Sequence, residues 1–265
     1  MCNKVKRLVS ILFILLSIVL VATCFQGQNS SETEQGSVQA GITSLPVVAG
    51  AIDTALLSQE DSSPISGIND RVASNAGKAF PYQRYVTPDD QAIEALTTRI
   101  DGAEDAYALA VQWTYVSEKT LNRVVDKWLK PHEFLANTPY FLTNPVKGEV
   151  VSDCEEQAYV LVSLLRAVGV RAEEVRVVMG KVDFDGTEMG HAWVELFTDG
   201  QWLILDPSSG PYWDDEAGEI VNRQGHSFDY YLNHPYPVIE IWVYGNDIYY
   251  LDLRDNAGNA PDSWN

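Results

Sequence analysis

Three residues far apart in the chain, Cys154, His191 and Asp206, are the types that a thiol nucleophile, its general base and an orienting carboxylate require, and they occur in that chain order. Cys154 stands in Ser152-Asp153-Cys154-Glu155-Glu156-Gln157, where a polar loop enters a long apolar run. Of the three cysteines, Cys2 and Cys24 fall in the first 24 residues, so the rest of the chain has one thiol and no partner for an internal disulfide. Ser152 with Glu155, or Asp153 with Glu156, has capping-box spacing, which puts Cys154 in the first turn of a helix. A thiol there faces the positive helix end and free backbone N–H groups, which favour thiolate and can hold an oxyanion. Asp153, Glu155 and Glu156 oppose this, because negative charge raises a thiol pKa. Taken alone, one cysteine reads more simply as a small buried apolar side chain. A base nearby would change that reading.

The segments downstream supply it. His191 to Phe197 alternates His, Trp, Glu and Phe with Ala192, Val194 and Leu196, and Trp202 to Asp206 alternates Trp, Ile and Asp with Leu203 and Leu205, so both read as strands. Asp199-Gly200 between them is a two-residue hairpin signal. If Thr198 faces Gln201, then Phe197 meets Trp202, Glu195 meets Ile204 and Trp193 meets Asp206. His191 is then diagonal to Asp206 on one sheet face, about 7 Å away between backbone positions. A slip of one residue would separate them to opposite faces. In this reading Cys154 attacks a carbonyl, His191 takes the thiol proton and returns it to the leaving group, and Asp206 fixes the imidazole. The Cys154 N–H would hold the oxyanion, with Gln157, Asn144 or Trp113 as a second donor, and Trp193 joins Trp113, Asn144 and Gln157 as candidate substrate-cleft residues.

The elements that position these residues are an α+β set. Thr87-Pro88-Asp89-Asp90 predicts an N-cap with proline at the first position of a helix through Ile93, Leu96 and Ile100, broken by Asp101-Gly102. A second helix is expected over 103–116, and a third over 117–130, stopped by Pro131. Trp113 and Trp128 fit core positions of these helices. Residues 131–151 read as loop. After the Cys154 helix ends at Gly169 come a strand over 175–179, a polar loop over 181–188, the hairpin, and two strands over 238–244 and 248–253. Tyr230, Tyr231 and Tyr236 read first as packing and second as a cleft wall.

Asp153-Cys154-Glu155 before an apolar helix ending Leu165-Arg166-Ala167-Val168-Gly169-Val170, then Gly190-His191-Ala192-Trp193-Val194-Glu195, Gly200-Gln201-Trp202 and Leu205-Asp206-Pro207, resembles the transglutaminase-like superfamily over Val150 to Gly210. The resemblance implies a papain-like fold, with the cysteine on a helix against an antiparallel sheet that bears the histidine and aspartate. It does not imply one reaction, since members include cross-linkers, peptidases, amidases and inactive scaffolds. The expectation is an enzyme acting on amide bonds through a thioester, with hydrolysis favoured over amine transfer; the alternative is an inactive domain that binds peptide or cell-wall material.

Lys4, Lys6 and Arg7 followed by the apolar run Leu8 to Ala22 read as an export signal over residues 1–24, and Val21-Ala22-Thr23-Cys24 resembles a lipobox with Cys24 as the lipidation site; left uncleaved, the same segment is a single membrane anchor. Residues 25–78 are rich in Ser, Gln, Gly and Asn and read as a tether, with the transglutaminase-like domain over 79–255 and a flexible tail over 256–265. The expected location is the cell surface, attached to the membrane through the N-terminus alone. The net charge of −19 becomes −22 without the three basic residues of the first 24, which excludes a nucleic-acid partner and leaves a peptide or protein, cell-wall peptide included, as substrate. His132, His226 and His234 read as surface residues, and Asp183, Asp185 and Glu188 as a solvated loop without a full calcium-loop pattern. No metal or cofactor is expected, and the oligomeric state is left open.

Overall fold

The computed structural model describes residues 82–264. The signal or anchor over 1–24, the Cys24 lipidation site and the tether over 25–78 lie outside the described residues. Among the described residues no helix is long and apolar enough to cross a membrane.

The helical part is more broken than its apolar spacing suggests. Helix α1, Gln91–Thr97, starts three residues later than expected, because Asp90 rather than Thr87 is the N-cap, its side chain accepting from the Ala92 N–H at 2.9 Å. Helix α2, Ala103–Ala110, ends before Trp113, and the chain then enters a two-residue strand β1, Thr114–Tyr115. Helix α3 spans only Glu118–Leu121 of the helix expected over 117–130. Asn122 turns its amide back to the Glu118 carboxylate, Arg123 takes the left-handed conformation at φ 58°, and Val125 is 98 % exposed. Pro131 opens a helix rather than stopping one: α4 runs over Pro131–Asn137, with proline at a position whose N–H has no intrahelical partner anyway. The expected loop over 131–151 thus contains α4 and ends in strand β2, Val151–Ser152.

Helix α5, Cys154–Ala167, is the centre of the fold and ends ahead of Gly169 as expected. Tyr159 to Leu165 are buried around the whole helix. This follows from its two-sided packing, against α1 and α2 on one side and the sheet on the other. Truncating any of Leu161, Leu164 or Leu165 to alanine should cost about 2–5 kcal/mol.

The large sheet is antiparallel. Strands β3, Val175–Phe184, and β4, Thr187–Thr198, form a long hairpin, so the polar loop expected over 181–188 is in fact paired strand around an Asp185-Gly186 turn. The polarity that suggested loop comes from residues near the exposed hairpin tip. Strand β5, Gln201–Leu205, follows through Asp199-Gly200. Both turns have positive φ at both central residues, 53° and 85° in the first and 52° and 81° in the second, the geometry that Asp-Gly favours in a two-residue hairpin. The β4–β5 register pairs Glu195 with Ile204, Phe197 with Trp202 and Thr198 with Gln201, as the turn chemistry predicts. Strands β6 and β7, Tyr212–Asp214 and Glu219–Val221, join β1 and β2 in a small sheet of order β2-β1-β6-β7.

After the short helix α6, Tyr230–Asn233, strands β8, β9 and β10, Val238–Gly245, Tyr250–Asp252 and Ala257–Gly258, complete the large sheet in the order β10-β9-β8-β3-β4-β5. Ala192, Val194 and Leu196 face the core under α5, while Trp193 packs with Val178, Val182, Tyr244 and Trp264 on the other face. The last residues, expected to be a flexible tail, are fixed: Trp264 is 2 % exposed, and its carbonyl accepts from Arg176 at 3.0 Å. An indole large enough to close that sheet face outweighs the entropy of a chain end.

Candidate active site

Cys154 is the first residue of α5 and is 6 % exposed. The Asp153 N-cap side chain makes no capping hydrogen bond, so neither capping box forms; Ser152 Oγ instead donates to Glu156 Oε2 at 2.7 Å. The first N–H groups of the helix have no intrahelical partners. Strand β1 runs parallel to β2, with Tyr115 opposite Ser152, which sets the tyrosine beside the start of α5. On the sheet side, β5 leaves the ladder after Leu205, and the thiol comes up against the Ala192 backbone N–H.

The electrostatics are severe. Burial, then the charges of Glu155 and Asp153 and a hydrogen bond that Cys154 Sγ donates to Glu155 Oε2 at 3.0 Å, push the thiol pKa well up; the Ala192 N–H pulls the other way. Behind the thiol, burial pushes Glu118 up to about 7 and raises Asp153 and Glu156 as well. Asp153 and Glu156 act on each other, and Glu156 also accepts from the Leu129 N–H at 2.8 Å and from Ser152 Oγ. Of the three acidic neighbours legible in the sequence, Glu155 is the one in direct contact with the sulfur and the one that raises its pKa most. Glu118, Asp153 and Glu156 bring carboxylate oxygens within 4.8 Å of one another, a spacing that could hold a cation and that the sequence reading did not assign. Most of these oxygens already accept from Asn122, Ser152 or Leu129, and Asp153 Oδ1 has no partner.

His191 and Asp206 meet as the register requires. His191 Nε2 lies 3.1 Å from Asp206 Oδ2, both residues are buried, and Nδ1 is the ring nitrogen left for other work. Phe184 meets the imidazole edge-on at 5.3 Å and Trp193 stacks on it at 6.4 Å, which fixes the ring plane. Asp206 caps a 3-10 turn over Pro207–Ser209 and accepts from the Ser208 N–H at 3.0 Å and Ser208 Oγ at 2.7 Å on one oxygen. The other oxygen accepts from Tyr236 Oη at 3.1 Å beside the histidine. Burial alone would raise this carboxyl; the His191 charge and these four donors overturn that and hold it below the usual carboxylate range. Tyr107 Oη donates to the Asp206 carbonyl at 3.2 Å.

Cys154, His191 and Asp206 line one cavity of about 410 Å³, together with Tyr115, Tyr231 and Arg223. The four residues expected in the cleft are elsewhere. Trp113 packs edge-on against Phe134 in the core, and Asn144 clamps its own loop through Thr138, Glu149 and Val146. Gln157 spends its amide N–H on the Ser152 carbonyl, and Trp193 is buried under Tyr236. His226, expected at the surface, also lines the cavity. Sequence reasoning missed Tyr115 and Ser208, and it read Tyr236 as packing or cleft wall without its bond to Asp206. Asp206-Pro207-Ser208 carries an Asx-turn signal that could have found Ser208; Tyr236, thirty positions from its partner, leaves no local trace.

An α+β fold that brings a helix-terminal thiol and a histidine–carboxylate pair to one cavity beside an antiparallel sheet has the layout of a papain-like fold. Residues 94–207, which contain all three side chains, match the family model of the transglutaminase-like superfamily. Over that span the chain carries a transglutaminase-like core. Among solved structures, calcium-bound LapG from Legionella pneumophila aligns at 17 % identity over 65 % of this chain and 81 % of its own, with a TM-score of 0.40. The EGTA-treated form aligns at 17 % over 65 % and 78 %, also with a TM-score of 0.40. No curated protein matches.

Proposed function

We propose that the domain is an exported thiol enzyme that cleaves amide bonds of peptides or proteins through a Cys154 thioester, with hydrolysis ahead of amine transfer. The observation that carries this reading is the convergence of Cys154, His191 and Asp206 on one cavity, with His191 Nε2 engaged by Asp206 and Nδ1 left over. His191 Nδ1 takes the thiol proton and the sulfur attacks the substrate carbonyl. The oxyanion rests on the Cys154 N–H and, as second donor, the Tyr115 hydroxyl, which burial and the negative charges of Cys154, Asp153 and Glu155 keep firmly protonated. The imidazolium protonates the departing amine, and a water activated by His191 hydrolyses the thioester. Four donors on Asp206 keep it ionised, so it stabilises the imidazolium throughout.

One observation favours a second reading, an inactive domain that binds peptide or cell-wall material: the thiol donates to Glu155 and its pKa is pushed up. The pH dependence of Cys154 alkylation, in wild type and in His191→Ala, separates the two. The enzyme reading expects a fast limb below the ordinary thiol pKa of about 8.5 that vanishes in His191→Ala. Identical profiles centred at or above that pKa would establish the inactive scaffold. Tyr115→Phe should leave this profile in place and lower kcat on a peptide substrate by about 10²-fold.

A further inference from the structure

Among the described residues the cleft holds one fixed positive charge, and no carboxylate pairs with it. Arg223, in the segment after β7, is the only Lys or Arg among the described residues that line the cavity holding Cys154. It also lines a neighbouring cavity of about 530 Å³, so it stands where the two meet. Its guanidinium is held in place: Nε donates to the Gly210 carbonyl at 2.6 Å, Nη2 to the Ser208 carbonyl at 3.3 Å, and Cζ lies 5.0 Å from the centre of the Tyr212 ring. The backbone around it is pinned as well. The His226 N–H donates to Ser209 Oγ at 3.2 Å, and a Cβ on Gly210 or Gly225 would come within 1.9 or 2.0 Å of Val111. Among the described residues no carboxylate pairs with Arg223, in a chain of net charge −19. Two carbonyl acceptors orient the guanidinium without neutralising it, which leaves donors for an incoming anion. His226 adds no fixed charge, because burial lowers its pKa. Asp185 lines the same cavity from the β3–β4 turn, so apart from Asp206, which is engaged by His191, the described wall carries one acidic and one cationic residue, from different elements.

We propose that Arg223 reads the substrate: it binds a carboxylate, from an acidic side chain or a chain terminus, near the amide bond presented to Cys154. This rests on the amide-cleaving reading of the cleft. The deciding experiment needs no turnover. Cys154 is alkylated with iodoacetate and with iodoacetamide at one ionic strength, and the ratio of the two rates is compared between proteins. Arg223→Ala should lower the ratio by about fivefold or more, and Arg223→Lys should retain most of it. Arg223→Gln, which keeps donors for the two carbonyls, covers the case in which alanine unpins the loop and should fall with alanine. An unchanged ratio in both neutral variants overturns the proposal. Peptides in pairs then distinguish the sources: internal Glu against Gln, and a free C-terminal carboxylate against its amide. The pair that wild type prefers, and that Arg223→Ala no longer separates, names the source. If no peptide is turned over while the alkylation ratio responds to Arg223, the enzyme reading fails and the anion site stands.

Discussion

Replacing Glu155 by glutamine should activate Cys154. The Glu155 oxygen accepting from the thiol lies 3.0 Å from Sγ, and on ionisation of the cysteine two negative charges would face each other at that separation. At an effective dielectric of about 20–40 their repulsion is about 3–5 kcal/mol, equivalent to about 2–4 units of thiol pKa. Glu155 is partly exposed, so screening brings the expected shift to about 1–2 units. Glutamine keeps the length and an acceptor for the S–H, which confines the change to the charge. The midpoint of the Cys154 alkylation profile should therefore fall by about 1 unit or more, and the rate at pH 7 should rise about tenfold, since each unit is a factor of ten in thiolate. Asp153→Asn is the control. Asp153 does not touch the sulfur and its own carboxyl is pushed up by burial, so its replacement should move the midpoint by clearly less than Glu155→Gln does. An unmoved midpoint in Glu155→Gln, or an equal shift in Asp153→Asn, would refute this division of the acidic neighbours.

Two stability predictions follow from the buried charges. Glu118 has its pKa raised from 4.5 to about 7, so the folded state binds the proton more tightly and stability declines as pH rises from about 4.5 through about 7. Glu118→Gln removes that decline: urea unfolding should show no difference near pH 4 and a gain of about 1–2 kcal/mol at pH 8, the full linkage value being reduced for solvent screening. Equal stabilities at both pH values would show that Glu118 is ionised in the fold without penalty. Arg176 bonds Glu195 at 2.6 Å and lies between the Trp202 and Tyr244 rings, at 3.9 and 3.6 Å from their centres. Arg176→Ala strands a buried carboxylate and should cost about 3–5 kcal/mol, whereas Arg176→Met with Glu195→Leu should recover most of the loss. A double variant no more stable than the single one would place the energy in the ring contacts instead.

What the sequence made legible was the part fixed by short-range chemistry. Asp199-Gly200 can adopt few backbone conformations, so it determined the strand register, and with it the meeting of His191 and Asp206. The apolar run after Cys154 was long enough to be a helix whatever surrounded it. The elements misread were those where local propensity competed with a distant partner. The 117–130 segment has helical spacing, yet the Leu121 carbonyl is taken by Thr143 Oγ1, twenty-two positions away, and the helix does not propagate. Residues 181–188 looked like loop because Val182 and Phe184 alone mark the inner face there, too short an alternation to stand out among Asp183, Asp185 and Glu188.

The same division explains which site residues were visible. A nucleophile, a base and its carboxylate must be particular residue types, so they stand out by type and order. Residues that tune them are under no such restriction: a hydroxyl on Asp206 could come from any side chain that reaches it, and here it comes from Tyr236, supplied by the segment between α6 and β8. Tyr115 and Arg223 reach the cavity through the small sheet, whose strands have two or three residues each and no periodic pattern to recognise. Yet that sheet joins β1 to β2 immediately before Cys154 and β6 immediately after the Asp206 turn. It therefore ties the start of the nucleophile helix to the carboxylate loop, and side chains that border it are the ones able to choose among substrates while leaving the Cys154, His191 and Asp206 geometry intact.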